Sequence, residues 1–163
     1  MAKKMDNLDE LYTDLLKDLY SAEQQLMKAL PKMAKAAQSS DLQKAFNEHL
    51  SQTERHAERI EKIFTDLDGS PRGKKCVGME GIVKEGDEMM KETDKDALDA
   101  GLIAAAQKAE HYEMASYGTA RTWAQMMGHD KAARMLQNTL DEESQANEKL
   151  TMIAESQANV GAR

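Results

Sequence analysis

The sequence predicts an all-α protein built as a four-helix bundle, and two observations carry that prediction. Strong helix formers dominate the composition, whereas aromatic residues make up 4% of the chain and there are 2 prolines. Apolar residues recur at steps of three and four in four long segments and one shorter segment. Because the chain has 163 residues, we expect a single domain over 1–163, with its helical core at about 7–157.

The first helix is predicted from about Asn7 to Ala37. Asn7 and Glu10 have the spacing of a capping box, in which the N-cap residue and the third helical residue satisfy the first amide groups. Pro31 lies inside this segment. We expect it to kink the helix or to end its regular part, because proline lacks the amide hydrogen that a helix interior needs.

The second helix is predicted to begin at Ser40, which has the same capping spacing to Gln43, and to end near Asp66. The sequence DGSPRG at 68–73 then interrupts the helical pattern. A weaker helical pattern that contains glycines follows at about 76–92. We therefore expect a short helix between the second and third long helices.

The third long helix is predicted at about 95–127, after the capping residues Thr93 and Asp94. Gly128 suits the position just after a helix, where a left-handed backbone is common. The fourth long helix then follows at about 130–157.

The lengths of the connections predict the topology. Few residues join the first long helix to the second, or the third to the fourth, so each pair should form an antiparallel hairpin. A long crossover at about 68–93, with the short helix inside it, separates the two hairpins. This connectivity is typical of ferritin-like bundles rather than of simple up-down bundles.

Acidic residues interrupt the apolar stripes of three long helices near their midpoints. Glu23 lies in the first helix, Glu110 and Glu113 in the third, and Glu143 in the fourth. A buried, unpaired carboxylate is costly, and protonation, a cation or a metal ion removes that cost. Because all four positions are near mid-helix, antiparallel packing would bring them to a similar depth, where a bundle can hold a dinuclear metal site.

The second long helix has no carboxylate in its apolar stripe, but His49, Gln52 and His56 follow one edge of it. We expect His56 as the metal ligand from this helix, with His49, Gln52 and Asn147 as weaker candidates. Carboxylates combined with one or two imidazoles suit iron or manganese. Tyr117 is placed to hydrogen-bond a ligand carboxylate and so to orient it.

Each of these residues also has an ordinary structural interpretation. A single glutamate in a helix stripe is commonly an edge residue that reaches water or a lysine, and His49 and His56 fit hydrogen-bonded edge residues. Tyr117 fits a core tyrosine equally well. His111 falls off the stripe of its helix and is expected at the surface. Four acidic positions on three helices nevertheless favour a metal site over coincidence.

Composition excludes several classes of partner. The net charge of −7 disfavours nucleic acid and anionic membrane surfaces. The sequence shows neither a signal peptide pattern nor an apolar run long enough to span a membrane. Cys76 is the only cysteine, which excludes an intrachain disulfide and fits a reducing compartment. We therefore expect a cytoplasmic protein in which Cys76 has a structural role.

Several strings resemble the YciE/YciF family of bacterial ferritin-like stress proteins, and in particular its YciF branch. These are LYSAEQQLMKALPKMA, KCVGMEGIVKE, LIAAAQKAEHYEMASYGT and LDEES. They occur in the family's order and cover unlike regions of the chain, from about Leu8 to Ile153. The resemblance implies a ferritin-like bundle with a fifth short helix, a homodimer, and cytoplasmic induction under stress.

The resemblance extends to the wider ferritin-like superfamily. Glu23, Glu110 and Glu143 are similar to the metal ligands of its first, third and fourth helices. The spacing of Glu110 and Glu113 resembles the paired glutamates on the third helix of rubrerythrin. The Glu-x-x-His motifs of the second and fourth helices are absent here. Ala146 stands three residues after Glu143, and neither His49 nor His56 has a glutamate three positions earlier.

The second helix departs from the family's pattern as well. Gln52 stands where YciE/YciF relatives are expected to have glutamate. A neutral amide is a weak ligand, so one carboxylate of this helix is missing, and His56, one turn further along the same edge, could compensate.

The residue pattern and the resemblance together predict a stress protein with a dinuclear iron or manganese site that oxidises Fe(II) or reduces peroxide. Rubredoxin-like cysteine pairs are absent from the sequence, so electrons would come from an external donor. Gln52 and the missing motifs leave an alternative open, a non-catalytic dimeric scaffold that has lost full metal binding. A cage-forming, DNA-protecting subunit fits less well, because the chain lacks a basic tail.

Overall fold

The computed structural model describes residues 4–163, and the described part of the chain contains helices and no strands. The five principal helices are α1 (Leu8–Ala36), α2 (Ser40–Asp66), α3 (Val77–Glu92), α4 (Lys95–Met126) and α5 (Asp130–Ile153). A π-helical turn, Ala154–Ala158, and a short α6, Asn159–Gly161, follow α5. The all-α prediction is thereby confirmed.

The four long helices form two hairpins. Residues 37–39 join α1 to α2, and residues 127–129 join α4 to α5. Within each hairpin the two helices pack on each other along their length, and contacts of α1 with α4 and of α2 with α5 close the bundle. α3 lies in the crossover and packs against α4 and α1. This is the predicted ferritin-like connectivity.

The start of α1 follows the sequence prediction, but its passage through Pro31 does not. The Asn7 side chain accepts a hydrogen bond of 2.9 Å from the backbone N–H of Glu10, which completes the predicted cap. Of the two outcomes expected at Pro31, a kink or an end of the regular helix, the second is wrong, because α1 continues to Ala36. Met33, beyond the proline, is buried in the core, and such packing offsets the lost hydrogen bond.

The cap of α2 lies one residue earlier than predicted. The side chain of Ser39, rather than that of Ser40, accepts the bond from the backbone N–H of Leu42. Asp99 of α4 fixes this connection, since its carboxylate accepts the backbone N–H groups of Gln38 and Ser39 at 2.7 and 2.8 Å. A contact between distant parts of the chain therefore decides the local choice of cap.

Cys76 begins α3 and has the structural role that was predicted. Its Sγ accepts a hydrogen bond of 3.3 Å from the backbone N–H of Met79, which makes the thiol the N-cap. Sγ also lies 3.2 Å from Oδ2 of Asp18 and 3.1 Å from the hydroxyl of Tyr112. Gly78 allows the ring of Tyr112 to approach, since a Cβ there would lie 2.7 Å from that ring.

The far ends of α4 and α5 also have specific causes. Gly128, after α4, adopts a left-handed backbone with φ of +76°, as predicted for the residue that follows a helix. The regular part of α5 ends at Ile153 rather than near 157, because the π-helical turn begins at Ala154.

Two apolar clusters make up the core, one on each side of a polar layer. One cluster includes Tyr12, Leu16, Ile60, Phe64 and Leu136. The other includes Leu26, Phe46, Leu102 and Leu150. The acidic positions of α1, α4 and α5 fall between these clusters in each helix. The bundle therefore surrounds its polar groups with hydrocarbon on both sides.

Candidate metal centre

The polar layer gathers side chains from all four long helices, and each of them is nearly or fully shielded from solvent. Its members, with the fraction of each residue that is exposed, are Glu23 (0%), His49 (6%), His56 (0%), Glu110 (2%), Glu113 (0%) and Glu143 (0%). Ionisable groups are seldom buried to this degree unless something compensates for the lost hydration.

The six side chains form two groups that share one member. The first group is His49, Glu110, Glu113 and Glu143, and the second is Glu23, His56 and Glu143. Within each group the candidate ligand atoms all lie within 4.8 Å of one another, which is a spacing that one metal ion can span. Because Glu143 belongs to both groups, its two oxygens could connect two ions.

Glu142 orients His56 from outside the groups. His56 Nε2 lies 2.7 Å from Oε2 of Glu142, while Nδ1 faces Glu143 at 2.9 Å and Glu23 at 3.4 Å. Arg59 holds Glu142 with two bonds of 2.9 Å. In a neutral His56 the Nε2–H would donate to Glu142, so the lone pair of Nδ1 would point into the layer, as in metal sites in which a carboxylate fixes the histidine tautomer.

Gln52 contacts His49 in the way that Glu142 contacts His56. Its Oε1 lies 3.0 Å from His49 Nδ1, and since an amide oxygen can only accept, Nδ1 carries the hydrogen. In a neutral His49 the lone pair of Nε2 would then face Glu110 at 3.0 Å and Glu143 at 3.5 Å. Gln52, predicted as a weaker ligand candidate, thus contacts a histidine that was also among the weaker candidates.

The remaining residues named from the sequence have clear places. The buried Tyr117 hydroxyl donates a hydrogen bond to Oε1 of Glu23, which is the predicted kind of contact. Asn147 carries a buried Oδ1 that has no hydrogen-bond partner among residues 4–163. The ring of His111 lies at the surface, with Nδ1 2.8 Å from the backbone oxygen of Gln107, as expected.

Sequence reasoning missed the pair formed by Glu142 and Arg59. The guanidinium of Arg59 joins α2 to α5, a contact that the helical periodicity of the sequence does not predict. The signal was weak: Arg59 is three residues after His56, and Glu142 precedes Glu143 in the LDEES string. Burial raises the pKa of Glu142, but Arg59 and His56 outweigh that effect and bring it to about 2, so this carboxylate stays charged.

Burial changes the proton affinity of the whole layer. It raises the pKa values of Glu110 and Glu143 to about 7, and it raises that of Glu113 well above its usual range, with like-charge repulsion adding to the effect. Burial opposes the charging of His56, but hydrogen bonds to Glu143 and Glu23 prevail and raise its pKa to about 10. Without a metal ion, the layer therefore holds protons in place of a cation.

Many ligand atoms in the layer have no hydrogen-bond partner. Among residues 4–163, the ligand atoms that make neither a hydrogen bond nor one of the imidazole contacts given above are Glu23 Oε2, Glu110 Oε2 and both carboxylate oxygens of Glu113. Each unsatisfied buried group costs about 1–3 kcal/mol. One or two divalent cations would satisfy most of these atoms at once, and oxygen donors with two imidazoles are suited to iron and manganese. The residues present therefore fit a metal centre.

Two cavities of different character reach the layer, and His49 and Glu110 line both. A cavity of about 30 Å³ between α1, α3 and α4 is apolar, with walls that include Leu30, Met33 and Leu102. A cavity of about 220 Å³ between α2 and α5 has a mixed lining, in which Phe46 and Leu150 stand beside polar side chains that include Gln52. The His49 side of the layer is thus the side with access from outside.

Comparisons with known proteins connect this architecture to a family. The family model described as "Domain of unknown function (DUF892)" matches residues 7–163. Protein YciF of Escherichia coli (strain K12) is 43% identical over 157 residues, which is 95% of this chain and 95% of YciF.

Solved structures give the same relationship. The crystal structure of the E. coli stress protein YciF matches with a TM-score of 0.91 at 43% identity, over 95% of this chain and 99% of that one. YcfI from Rhodopseudomonas palustris matches with a TM-score of 0.90 at 41% identity, over 94% and 99%. A protein from Xanthomonas campestris pv. campestris shares the fold at 20% identity, with a TM-score of 0.74 over 92% of each chain. Among residues 4–163, no helix has the length and apolar character needed to cross a membrane.

Proposed function

The chain belongs to the DUF892 family, together with the stress protein YciF, and from this premise we propose that it is a ferritin-like stress protein with a dinuclear iron or manganese centre. The proposed reaction is oxidation of Fe(II) or reduction of peroxide. The observation that carries the proposal is the set of buried ligand atoms, some of them unpartnered, that converge from four helices on one layer.

The proposed ligands divide between two positions. His49, Glu110 and Glu113 would hold one ion, Glu23 and His56 would hold the other, and Glu143 would reach both. When bound, the ions would supply the electron transfer that carboxylate and imidazole side chains cannot provide. Reduction of one peroxide to two water molecules takes two electrons and two protons, so repeated turnover requires an external electron donor.

The chain's own groups would handle protons and orientation. Tyr117 holds one oxygen of Glu23 and leaves the other free, and Glu142 and Gln52 orient the two imidazoles. Burial raises the pKa of Glu113 well above its usual range, so binding of a metal ion at this carboxyl group would be linked to release of a proton. The hydrocarbon clusters on both sides would keep bulk water from the layer.

Metal binding is tested most directly on the shared residue. We expect anaerobic loading with Fe(II) or Mn(II), followed by desalting and elemental analysis, to give two ions per native chain. Glu143→Gln should lose both ions, because it removes a ligand from each group. Glu148→Gln is the matched control, since Glu148 is exposed on the same helix and should leave binding unchanged. Native protein that retains no metal would overturn the proposal.

Activity is measured separately on the loaded protein. Fe(II) oxidation is followed by absorbance under air and with added peroxide, and light scattering tests the proposed homodimer. A specific observation supports the alternative of a non-catalytic scaffold: Ala146 replaces a ligand position and Gln52 contacts His49 instead of offering a carboxylate. Full metal loading without Fe(II) oxidation or peroxide consumption would favour the scaffold.

A further inference from the structure

The cavity between α2 and α5 extends from the bundle surface to the buried layer. It has a volume of about 220 Å³, which is room for several water-sized molecules. The exposed side chains of Glu48, Gln145 and Lys149 lie at its outer part, and the half-buried Gln52 lies deeper. The buried His49 and Glu110 line its inner part.

The cavity exists because of a small residue at a particular place. Ala146 lies one turn after Glu143 on α5 and forms part of the wall. A large side chain at this position would project into the space between α2 and α5. The departure from the Glu-x-x-His pattern therefore creates access as well as removing a ligand.

Unpartnered atoms lie at the inner end of the cavity. Oε2 of Glu110 is buried and has no hydrogen-bond partner among residues 4–163, and the buried Nε2 of His49 lies 3.0 Å from the other oxygen of the same carboxylate. On the other side of the layer His56 is fully buried, and the pair of Glu142 and Arg59 joins α2 to α5 beside it. An outside molecule would reach the layer at the His49 side.

The cavity's chemistry selects a type of ligand. Lys149 donates a hydrogen bond to Glu48 across the mouth, from α5 to α2. With two amide side chains also in the wall, the lining offers both donors and acceptors to a small polar molecule. The narrower cavity between α1, α3 and α4 is lined largely by hydrocarbon and offers few such partners.

We propose that the cavity walled by Gln52, Ala146 and Lys149 is the binding site for a small hydrophilic ligand of the size of a peroxide or a triatomic anion. The ligand approaches the layer at His49 and Glu110 and never at His56. This assignment deepens the proposed function, on which its biological role rests, because it states which molecules reach the centre and from which side.

The first test does not depend on metal. Diethyl pyrocarbonate, which modifies unprotonated imidazole, is added to metal-free protein, and each histidine peptide is quantified by mass spectrometry over time. Ala146→Met should slow the reaction of His49 about tenfold relative to the exposed His111, because tightly packed side chains leave no passage. Lys149→Ala should accelerate the modification of His49, because it removes a side chain from the mouth of the cavity.

The matched control fills the other cavity. Ala105→Met introduces the same side chain into the apolar cavity on α4 and should leave the modification rate of His49 unchanged. Circular dichroism and a thermal midpoint identify any variant that fails to fold, in which case Lys149→Ala at the surface still decides the question. Equal His49 rates in native, Ala146→Met and Lys149→Ala proteins would overturn the proposal.

The second test uses azide on the Fe(III)-loaded protein and reads the charge-transfer absorption rather than activity. Ala146→Met should retain metal content but bind azide about tenfold more weakly, through steric exclusion of the probe. Ala105→Met should bind azide as the native chain does. If the native protein binds no metal, the proposed function fails while the modification experiment still tests the cavity. If metal binds but Ala146→Met binds azide as tightly as the native protein, only the cavity assignment fails.

Discussion

Raising the pH from about 5 to about 8 without metal should lower the free energy of unfolding of this bundle. Glu110 has a pKa of about 7 in the folded protein against 4.5 in its ordinary state. The folded chain therefore binds a proton that the unfolded chain has already released, and stability falls as pH rises through this window. The sign is opposite to that of a salt-bridged surface carboxylate.

The magnitude follows from the two pKa values. For one such carboxyl group, the stability lost between pH 5 and pH 8 is about 2–3 kcal/mol. Glu110 and Glu143 face each other and titrate together, so we count one group for the pair. His56, with a pKa of about 10 in the folded state, acts in the same direction above pH 6.5. Glu142, with a pKa of about 2, contributes stability above pH 4.5 and loses it only at lower pH.

The assay is urea unfolding, followed by circular dichroism at a series of pH values in the presence of a chelator. The slope of free energy against denaturant must stay constant for the comparison to hold. The double variant Glu110→Gln, Glu143→Gln should flatten the pH dependence, because both carboxyl groups of the titrating pair are then absent. Protein loaded with Mn(II) should lose the decline, since the metal replaces the protons. A metal-free stability that is constant or rises from pH 5 to pH 8 would refute the reasoning.

Two further predictions concern the carboxylate that contacts His56 and the packing of α3. Glu142→Gln should weaken metal binding about tenfold in a chelator competition, because the charged partner that orients His56 is lost. Asp141→Asn, at the exposed residue next to Glu142, is the control. Equal metal affinities in the two variants would contradict the role assigned to Glu142. Gly78→Ala should lower the thermal midpoint, since its new methyl group would lie 2.7 Å from the ring of Tyr112. Gly81→Ala is the control, because Gly81 has open space around it, and this variant should be more stable by up to about 1 kcal/mol. If Gly78→Ala stabilised the protein equally, the ring of Tyr112 would have to move freely, and the prediction would be wrong.

The periodicity of the sequence was sufficient to predict the bundle and the convergence of its acidic residues. A stripe that advances by three and four residues identifies which side chains face inward, so Glu23, Glu110, Glu113 and Glu143 could be assigned to one buried layer. The short and long connections then supplied the topology. These features depend on local spacing along one helix at a time, which a single sequence records.

The neighbours of the histidines could not be predicted in this way. Whether Gln52 is directed into the layer or toward His49 depends on a side-chain rotamer, and the contact of Arg59 with Glu142 depends on how α2 and α5 align. The cap at Ser39 likewise depends on a contact across the bundle. Periodicity specifies the face of a helix but not the partner across the interface.

The thiol that caps α3 gives this protein a natural kinetic probe of its own fluctuations. Cys76 has no exposed surface, and burial raises the pKa of its thiol, so an aromatic disulfide reagent can reach it only when α3 separates from Asp18 and Tyr112. Because it is the only cysteine in the chain, the labelling rate reports one event, the transient opening of the crossover. The ratio of that rate to the rate of an unprotected thiol gives the fraction of molecules in which the crossover is open. The free energy of this opening can therefore be measured without introducing another cysteine.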